Sequence, residues 1–223
     1  MRIVFDLDGT LIDSAPDLHV AINRVLGEWG AKPLDLPTLT RFIGNGIPAL
    51  VSLARQSRGI PLAEQPLMTA RMFAHYTAAP ADLTRPYPHV IPTLQRLVGQ
   101  GARLGLCTNK AEAPTLGILS ALRLERFFVS VVGGDTMPTK KPDAAPLLAA
   151  FEGLGVAAFE GLGGPGLFIG DSEVDAETAV RARVRFGLYT RGYRKTPVDG
   201  LPHDFAFDDY AALPALLAAE RCG

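Results

Sequence analysis

Cysteine is scarce in this chain: Cys107 and Cys222 are the only two, far apart and with no CxxC pair. That spacing supports neither a disulfide framework nor a zinc site, and it points to a reducing compartment. An excess of either charge is also missing. Lys+Arg number 22 against 23 Asp+Glu, for a net charge of -1, which leaves no electrostatic footprint for nucleic acid or an anionic membrane. No apolar run approaches the roughly 18 residues of a membrane span. No charged n-region leads into an apolar segment, as a secretory signal would require. The four histidines, His19, His75, His89 and His203, lack ligand spacing and read as surface or structural residues. Internal repeats and low-complexity tracts are absent. These absences lead us to expect a soluble, cytoplasmic protein with neither nucleic acid nor membrane as a partner.

What is present is enough apolar residue, 48%, for a sizeable core. The most informative stretch is at the start. Ile3-Val4-Phe5 runs into Asp6-Leu7-Asp8-Gly9-Thr10. Alternate strand residues share a face, so Asp6 and Asp8 are expected to face the same way at the strand's carboxyl end. Gly9 then permits a sharp turn. Two carboxylates about 4 Å apart repel by roughly 4 kcal/mol at an effective dielectric of about 20. Such a pair calls for a cation, a shared proton, or both.

Helical spacing follows, beginning with Leu18, Ala21, Ile22, Val25, Leu26 and Trp29. Asp13 or Ser14 is the expected cap and Pro16 suits the first turn. Further helices are expected over 36–42, 47–55 and 65–77, with breaks at Pro33, Gly44, Gly46, Gly59 to Pro61, and Ala79-Pro80. Beyond Pro86 strands and helices alternate. Strands are expected over 102–107, 127–132, 167–170, 186–189 and 205–207, with helices over 90–98, 113–122, 143–154, 174–182 and 210–219. That alternation predicts an α/β fold with a Rossmann-like parallel sheet covered on both faces. The helical block over 15–83 is then a cap inserted after the first strand, and 1–14 with 84–223 form the core. The glycine-rich stretch 161–166 lacks the Gly-Lys-Ser/Thr ending of a phosphate loop and reads as a helix-to-strand connection. Cys107 reads as a small buried hydrophobe in its strand.

Ligands of open α/β sheets bind outside the carboxyl ends of the strands. Four such ends here carry suitable polar groups: Asp6 and Asp8; Thr108-Asn109; Lys140-Lys141-Pro142; and Gly170-Asp171-Ser172, with Asp175 following. Asp6 is the candidate nucleophile, forming an acyl-phosphate that splits one hard displacement into two. Asp8 is the candidate general acid and then base. Asp171 joins Asp6 in offering hard oxygens to Mg²⁺, which favours attack of one anion on another. Thr108, Asn109 and Lys141 are candidate donors to the phosphoryl oxygens. Asp175 is expected to tether Lys141 or hold a metal-bound water. Each of these alone is a common turn, cap or surface residue; four in order at strand ends are not.

Together these four motifs resemble those of the haloacid-dehalogenase-like hydrolases, and the match spans nearly the whole chain. The resemblance implies a Rossmann-like core, an aspartyl-phosphate intermediate and Mg²⁺. It maps Asp6 to the nucleophile, Asp8 to the acid/base, and Asp6, Asp171 and the backbone carbonyl of Asp8 to the metal. The second aspartate, Asp8, favours phosphate chemistry over dehalogenation. Several stretches are similar to the phosphoglycolate phosphatase group of that family: Phe42-Ile43-Gly44-Asn45-Gly46, Tyr87-Pro88-His89-Val90, Leu106 to Lys110, and Val132 to Asp135. Gly170 to Asp175 belongs with them. The expected partner is a small phosphorylated metabolite, with 2-phosphoglycolate first and the protein a monomer or homodimer.

The inserted block is positioned to close as a lid with hinges near Asp13 and Thr84, excluding water. Arg41, Asn45 or Gly46 could reach a small carboxylate through exposed backbone N–H groups. Competing readings are a sugar-phosphate phosphatase, a β-phosphoglucomutase-like phosphotransferase, and a receiver-type signalling domain. The receiver puts its acceptor aspartate after the middle strand, unlike this chain.

Overall fold

A computed structural model of the chain describes residues 1–78, 81–155 and 166–219. The expected break at Ala79-Pro80, most of the glycine-rich stretch and Cys222 lie outside these residues.

Strand β1 (Arg2–Phe5) is short because its carboxyl end is where polar residues begin. Ile3, Val4 and Phe5 are fully buried, each worth about 1.5–3 kcal/mol of apolar burial. Both faces of the strand are covered, which is why the run does not alternate with polar residues. The other strands of the sheet are β4 (Arg103–Cys107), β5 (Phe128–Val132), β6 (Leu167–Gly170), β7 (Arg185–Tyr189) and β8 (Phe205–Phe207). All pairings are parallel, in the order β5-β4-β1-β6-β7-β8. Chain order therefore reverses at β1, flanked by β4 on one side and β6 on the other. In doubly wound sheets such a switch point opens a crevice for ligands.

Helices cover both faces, as the alternation of elements predicts: α5 (Val90–Gly99), α6 (Glu112–Ala121), α7 (Ala144–Gly153), α8 (Glu173–Ala182) and α9 (Leu213–Ala219). The last expected helix is split, with a 3₁₀ turn over Tyr210–Ala212 before α9. Strand residues alternate between two apolar clusters. Ile3, Phe5, Leu104, Leu106 and Ile169 enter one. Val4, Cys107 and Phe168 enter the other, so Cys107 does pack as a small core residue.

The inserted block is helical, as expected: α1 (Ala15–Glu28), α2 (Leu36–Thr40), α3 (Ile47–Ser57) and α4 (Gln65–Thr77). Helix α1 has Pro16 and Asp17 in its first turn and buries Leu18, Ala21, Ile22, Val25 and Leu26. It packs on α4, which packs on α3. The larger apolar cluster runs without interruption from β1 through Leu11 and Ile12 into Leu39, Met68 and Met72 of the cap.

Two elements escaped the sequence reading. Strands β2 (Ile12–Asp13) and β3 (Arg85–Pro86) pair antiparallel, Ile12 with Pro86 and Asp13 with Arg85. They are too short for any periodicity to mark them. They form the ribbon where the chain passes into the cap and back, at the two positions expected as hinges.

A second bond set clasps this crossing. Asp17, buried at the start of α1, accepts from the Leu83 and Thr84 N–H groups at 3.0 and 2.8 Å and from the Thr84 hydroxyl at 2.6 Å. Ser14 occupies the N-cap of α1, but its side chain makes no capping bond there. Its hydroxyl donates instead to Asp8 Oδ1 at 2.5 Å, while Asp13 accepts from the Ala15 N–H at 3.3 Å.

Candidate active site

Asp6 directly follows β1, and its N–H continues the ladder to Ile169 of β6 at 2.9 Å. That bond places the first aspartate beside the end of β6, where Asp171 follows. Gly170 is required between them: a Cβ there would lie 2.5 Å from Asp175. Ser172 and Asp175 then form a reciprocal capping box that starts α8, which satisfies two otherwise orphaned N–H groups. Its effect is to turn Asp175 back toward the sheet. Oxygens of Asp6, Asp171 and Asp175, all buried, lie within 4.8 Å of one another.

Only one ammonium contacts two of these carboxylates among the described residues. Lys141, 2% exposed, is 2.6 Å from Asp175 Oδ1 and 2.9 Å from Asp6 Oδ1. Asp175 does tether Lys141, and its other oxygen accepts from the Ser172 hydroxyl at 2.6 Å. The Lys141 contact with Asp6 is close but not directed as a hydrogen bond; Asp6 Oδ1 is buried and accepts none among the described residues. Burial pushes the Asp6 carboxyl up to about 7 against the pull of Lys141, with Asp175 and Asp8 adding to the rise. Burial, with Asp175 and Asp6, likewise holds the Asp171 carboxyl well above its ordinary range. Burial opposes the charge on Lys141, but Asp175 and Asp6 outweigh it and keep the ammonium above its usual range. The centre is short of positive charge. Its hard oxygen donors and unmet acceptor fit a divalent cation.

Asp171 is oriented from two sides. Its Oδ1 accepts from the Thr10 hydroxyl at 2.7 Å and its Oδ2 from the Tyr193 N–H at 2.6 Å. Gly9, at φ +84, could carry no side chain here, because a Cβ would meet Asp171 Oδ2 at 2.6 Å. The Tyr193 hydroxyl donates to Asp13 at 2.6 Å and accepts from the Ser14 N–H at 2.8 Å. Tyr193 thus joins the carboxylate cluster to the cap crossing. Sequence reasoning passed over it, since it lies 22 positions from Asp171 in a loop with no motif of its own.

The Asp8 side chain is not in the carboxylate cluster; Asp175 is. Asp8 is held by Ser14 on one oxygen and by the Lys110 ammonium on the other, at 3.0 Å. Lys110 is a further residue the sequence did not single out, because a lysine after Thr108-Asn109 reads as a surface residue. It is buried, and it also donates to the hydroxyl of Tyr76 on α4 at 2.9 Å.

Thr108 and Asn109 follow β4 and are both buried. The Thr108 hydroxyl accepts from the Lys110 N–H at 3.2 Å, leaving its own proton for a ligand. The Asn109 amide is differently employed from expectation. It donates to the carbonyls of Gly44 and Lys141, each at 3.0 Å, so both amide hydrogens dock main chain. Asn45 is exposed, and it is its carbonyl that takes part, accepting from Lys140 at 2.8 Å. Gly46, at φ +82, would carry a Cβ only 2.9 Å from the Asn109 carbonyl. The cap's Gly44-Asn45-Gly46 turn is therefore seated on the core directly over the strand ends. Beneath it is a cavity of about 40 Å³ lined by Asp6, Asp8, Thr108, Lys110, Ile43 and Leu50 among others. A second, of about 30 Å³, lies on the Asp171 and Tyr193 side. The histidines stand apart: His19 meets the Leu34 carbonyl, His75 Glu28, His89 Asp209 and His203 the Leu201 carbonyl.

Paired carboxylates after the first strand and a buried three-carboxylate cluster that could hold a cation, at a Rossmann switch point under a helical cap, are the architecture of a phosphoryl-transfer hydrolase. Comparison with known proteins agrees. The profile of the haloacid dehalogenase-like hydrolases matches residues 3–188, and the chain belongs to that family. It is 45% identical over 217 residues to a phosphoglycolate phosphatase of Cereibacter sphaeroides, covering 96% of each chain. A phosphoglycolate phosphatase of Rhodospirillum rubrum is 39% identical, with 95% of this chain and 88% of the relative covered. Among solved structures, one described as a predicted phosphoglycolate phosphatase from Haemophilus somnus superposes with a TM-score of 0.89 at 29% identity, covering 97% of each chain. The protein is an enzyme, a phosphatase of this family. Among the described residues no helix is long and apolar enough to cross a membrane.

Proposed function

We propose that this phosphatase hydrolyses 2-phosphoglycolate to glycolate and phosphate through an aspartyl-phosphate on Asp6, with Mg²⁺ as cofactor. The observation that carries the reading is the buried Asp6 oxygen without a hydrogen bond, beside Lys141 and the other carboxylates. Three buried carboxylates with a single ammonium touching two of them leave a deficit of positive charge, understandable where a cation completes the site.

In this reading Asp6 attacks phosphorus as the bond to the glycolate oxygen breaks. Asp8 donates a proton to that leaving oxygen. Asp8 then takes a proton from water as the water attacks the aspartyl-phosphate, releasing phosphate and restoring Asp6. The Thr108 hydroxyl and the Lys141 ammonium stabilise the phosphoryl oxygens. Asn109 serves by docking the cap turn. Asp6, Asp171 and the Asp8 carbonyl hold the Mg²⁺, which supplies Lewis-acid neutralisation of charge between two anions. Asp175 keeps Lys141 in place, and Gly9 keeps room for Asp171. Residues 15–83 act as the cap, and 1–14 with 84–223 as the core.

Two observations support the substrate. The named relatives are phosphoglycolate phosphatases at 39–45% identity over most of both chains. The cap turn at Gly44-Asn45-Gly46 sits directly over Asp6, Asp8, Thr108 and Lys110, which suits a small leaving group enclosed by the cap. Comparison of kcat/KM for 2-phosphoglycolate, glucose 6-phosphate and a nucleoside monophosphate tests this. The expected order puts 2-phosphoglycolate first by at least about tenfold; a sugar phosphate hydrolysed as well would overturn the assignment. Exhaustive chelation is expected to abolish turnover and added Mg²⁺ to restore it. Activity that survives chelation would remove the metal from the scheme.

A further inference from the structure

The Asp8 carboxylate is gripped from two directions, once at the crossing into the cap and once by a core lysine that is itself bonded to the cap. Ser14, at the crossing into the cap, donates to Oδ1 at 2.5 Å. Lys110 contacts Oδ2 at 3.0 Å and gives its other bond, at 2.9 Å, to the Tyr76 hydroxyl. Tyr76 is 1% exposed. It ends the buried stripe Met68, Met72, Tyr76 along α4 of the cap, residues four apart on one helix face. Its ring also lies under the ammonium, 4.6 Å away, a distance at which a cation is attracted to an aromatic face.

The backbone of Lys110 is fixed independently. Its N–H donates to Thr108 Oγ1 at 3.2 Å, and its carbonyl accepts from the Gly134 N–H at 2.7 Å. The ammonium is therefore delivered from a rigid strand end. A lysine this deeply buried is tolerated only where its charge is paired and its donors are used. Asp8 and Tyr76 are the two partners it has among the described residues. Withdrawal of α4 would take away one of them together with the ring.

We propose that Lys110 is a positioning residue for Asp8, and that Tyr76 makes its hold conditional on the cap being seated. This rests on the assignment of Asp8 as acid/base given above. The acid is then set in its working orientation only once the substrate is enclosed, so proton delivery follows exclusion of water. Lys110 moves no proton and makes no bond to phosphorus.

Two esters separate this role from a structural one. Departure of an alkoxide from 2-phosphoglycolate needs a proton, whereas p-nitrophenolate leaves without one. The ratio kcat/KM reports the steps through phosphorylation of Asp6. Lys110→Met is expected to lower kcat/KM for 2-phosphoglycolate by about 30-fold, within the range of general-acid effects. For p-nitrophenyl phosphate the loss is expected to stay under about threefold. Tyr76→Phe, which keeps the ring, is expected to show the same selectivity at about three- to tenfold.

In an Asp8→Asn background, Lys110→Met is expected to add no further loss on 2-phosphoglycolate. Equal losses on both esters in the Lys110 or Tyr76 variants would overturn the proposal. So would a raised KM with unchanged kcat, which would put the ammonium on the substrate. If Lys110→Met does not fold, Tyr76→Phe decides, and an unaltered ester selectivity there is the overturning result. Asp8→Asn alone tells the two readings apart: if it does not discriminate between the esters, the acid/base assignment itself fails; if it does and the lysine variant does not, only the positioning role fails.

Discussion

The strand ends and the cap crossing are both polar and largely buried, yet their polar groups are treated in opposite ways. At the crossing, Asp17 accepts from two N–H groups and a hydroxyl, and the Tyr193 hydroxyl both donates and accepts. At the strand ends, three carboxylates crowd one ammonium, and Asp6 Oδ1 accepts no hydrogen bond among the described residues. Fully paired buried groups add rigidity, whereas an incomplete set costs stability unless something completes it. The difference separates a clasp, finished by the chain itself, from a socket finished by a ligand.

The sharpest way to break that contrast is to alter one aspartate in each region. Asp6→Asn is expected to lower kcat by at least about a thousandfold, since an amide does not attack phosphorus. Its thermal midpoint in the absence of metal should not fall, because a charge disfavoured by burial has been removed. A clear drop in midpoint would mean that the strand ends are structural after all. Asp17→Ala is expected to do the reverse in kind. It leaves the buried N–H and hydroxyl of Thr84, and the N–H of Leu83, without their acceptor, a loss of about 3 kcal/mol. Urea unfolding measures this, and a change below about 1 kcal/mol would show that the β2–β3 ribbon alone holds the crossing.

A third, smaller test uses the surface as reference. Glu28 is bonded by Arg71 at 2.7 Å and by His75 at 2.5 Å. Those partners, Arg71 foremost, lower its carboxyl from 4.5 to about 2. A depressed carboxyl stabilises the fold above its unfolded value and loses that contribution as pH falls through the folded one. The stability difference between wild type and Glu28→Gln should therefore be fully present just above pH 4.5 and vanish toward pH 2. It should also shrink with salt, as exposed pairs do. A difference that persists at pH 2 would assign Glu28 a role other than this pairing.

These regions also differ in how far the sequence foretold them. Asp6, Thr108, Lys141 and Asp171 are legible because each follows an apolar run or its loop, and a parallel sheet gathers strand ends on one edge. Asp175 is legible only as one of two roles, a tether of Lys141 or a support for metal-bound water; the capping box that turns it onto Lys141 emerges in the fold. The crossing is not legible. Asp17 reads as an ordinary acidic residue in a helix's first turn. The paired strands at Ile12–Asp13 and Arg85–Pro86 are shorter than any period. Lys110 is the instructive failure, since its partners Asp8 and Tyr76 lie far from it in sequence. Asn109 carries the right residue type for binding phosphate, but the Gly44 carbonyl above it, unseen in the sequence, claims the amide.

The reversal of strand order at β1 has a consequence for biosynthesis. Because β6 lies beside β1, Thr10 and Asp171 meet although they are 161 positions apart in sequence. Asp6 and Asp8 are synthesised long before the loop that completes their surroundings. Contacts of such long range form late and slowly. The nascent chain therefore carries these two carboxylates as ordinary solvated side chains, and their buried surroundings exist only after Asp171 has been made.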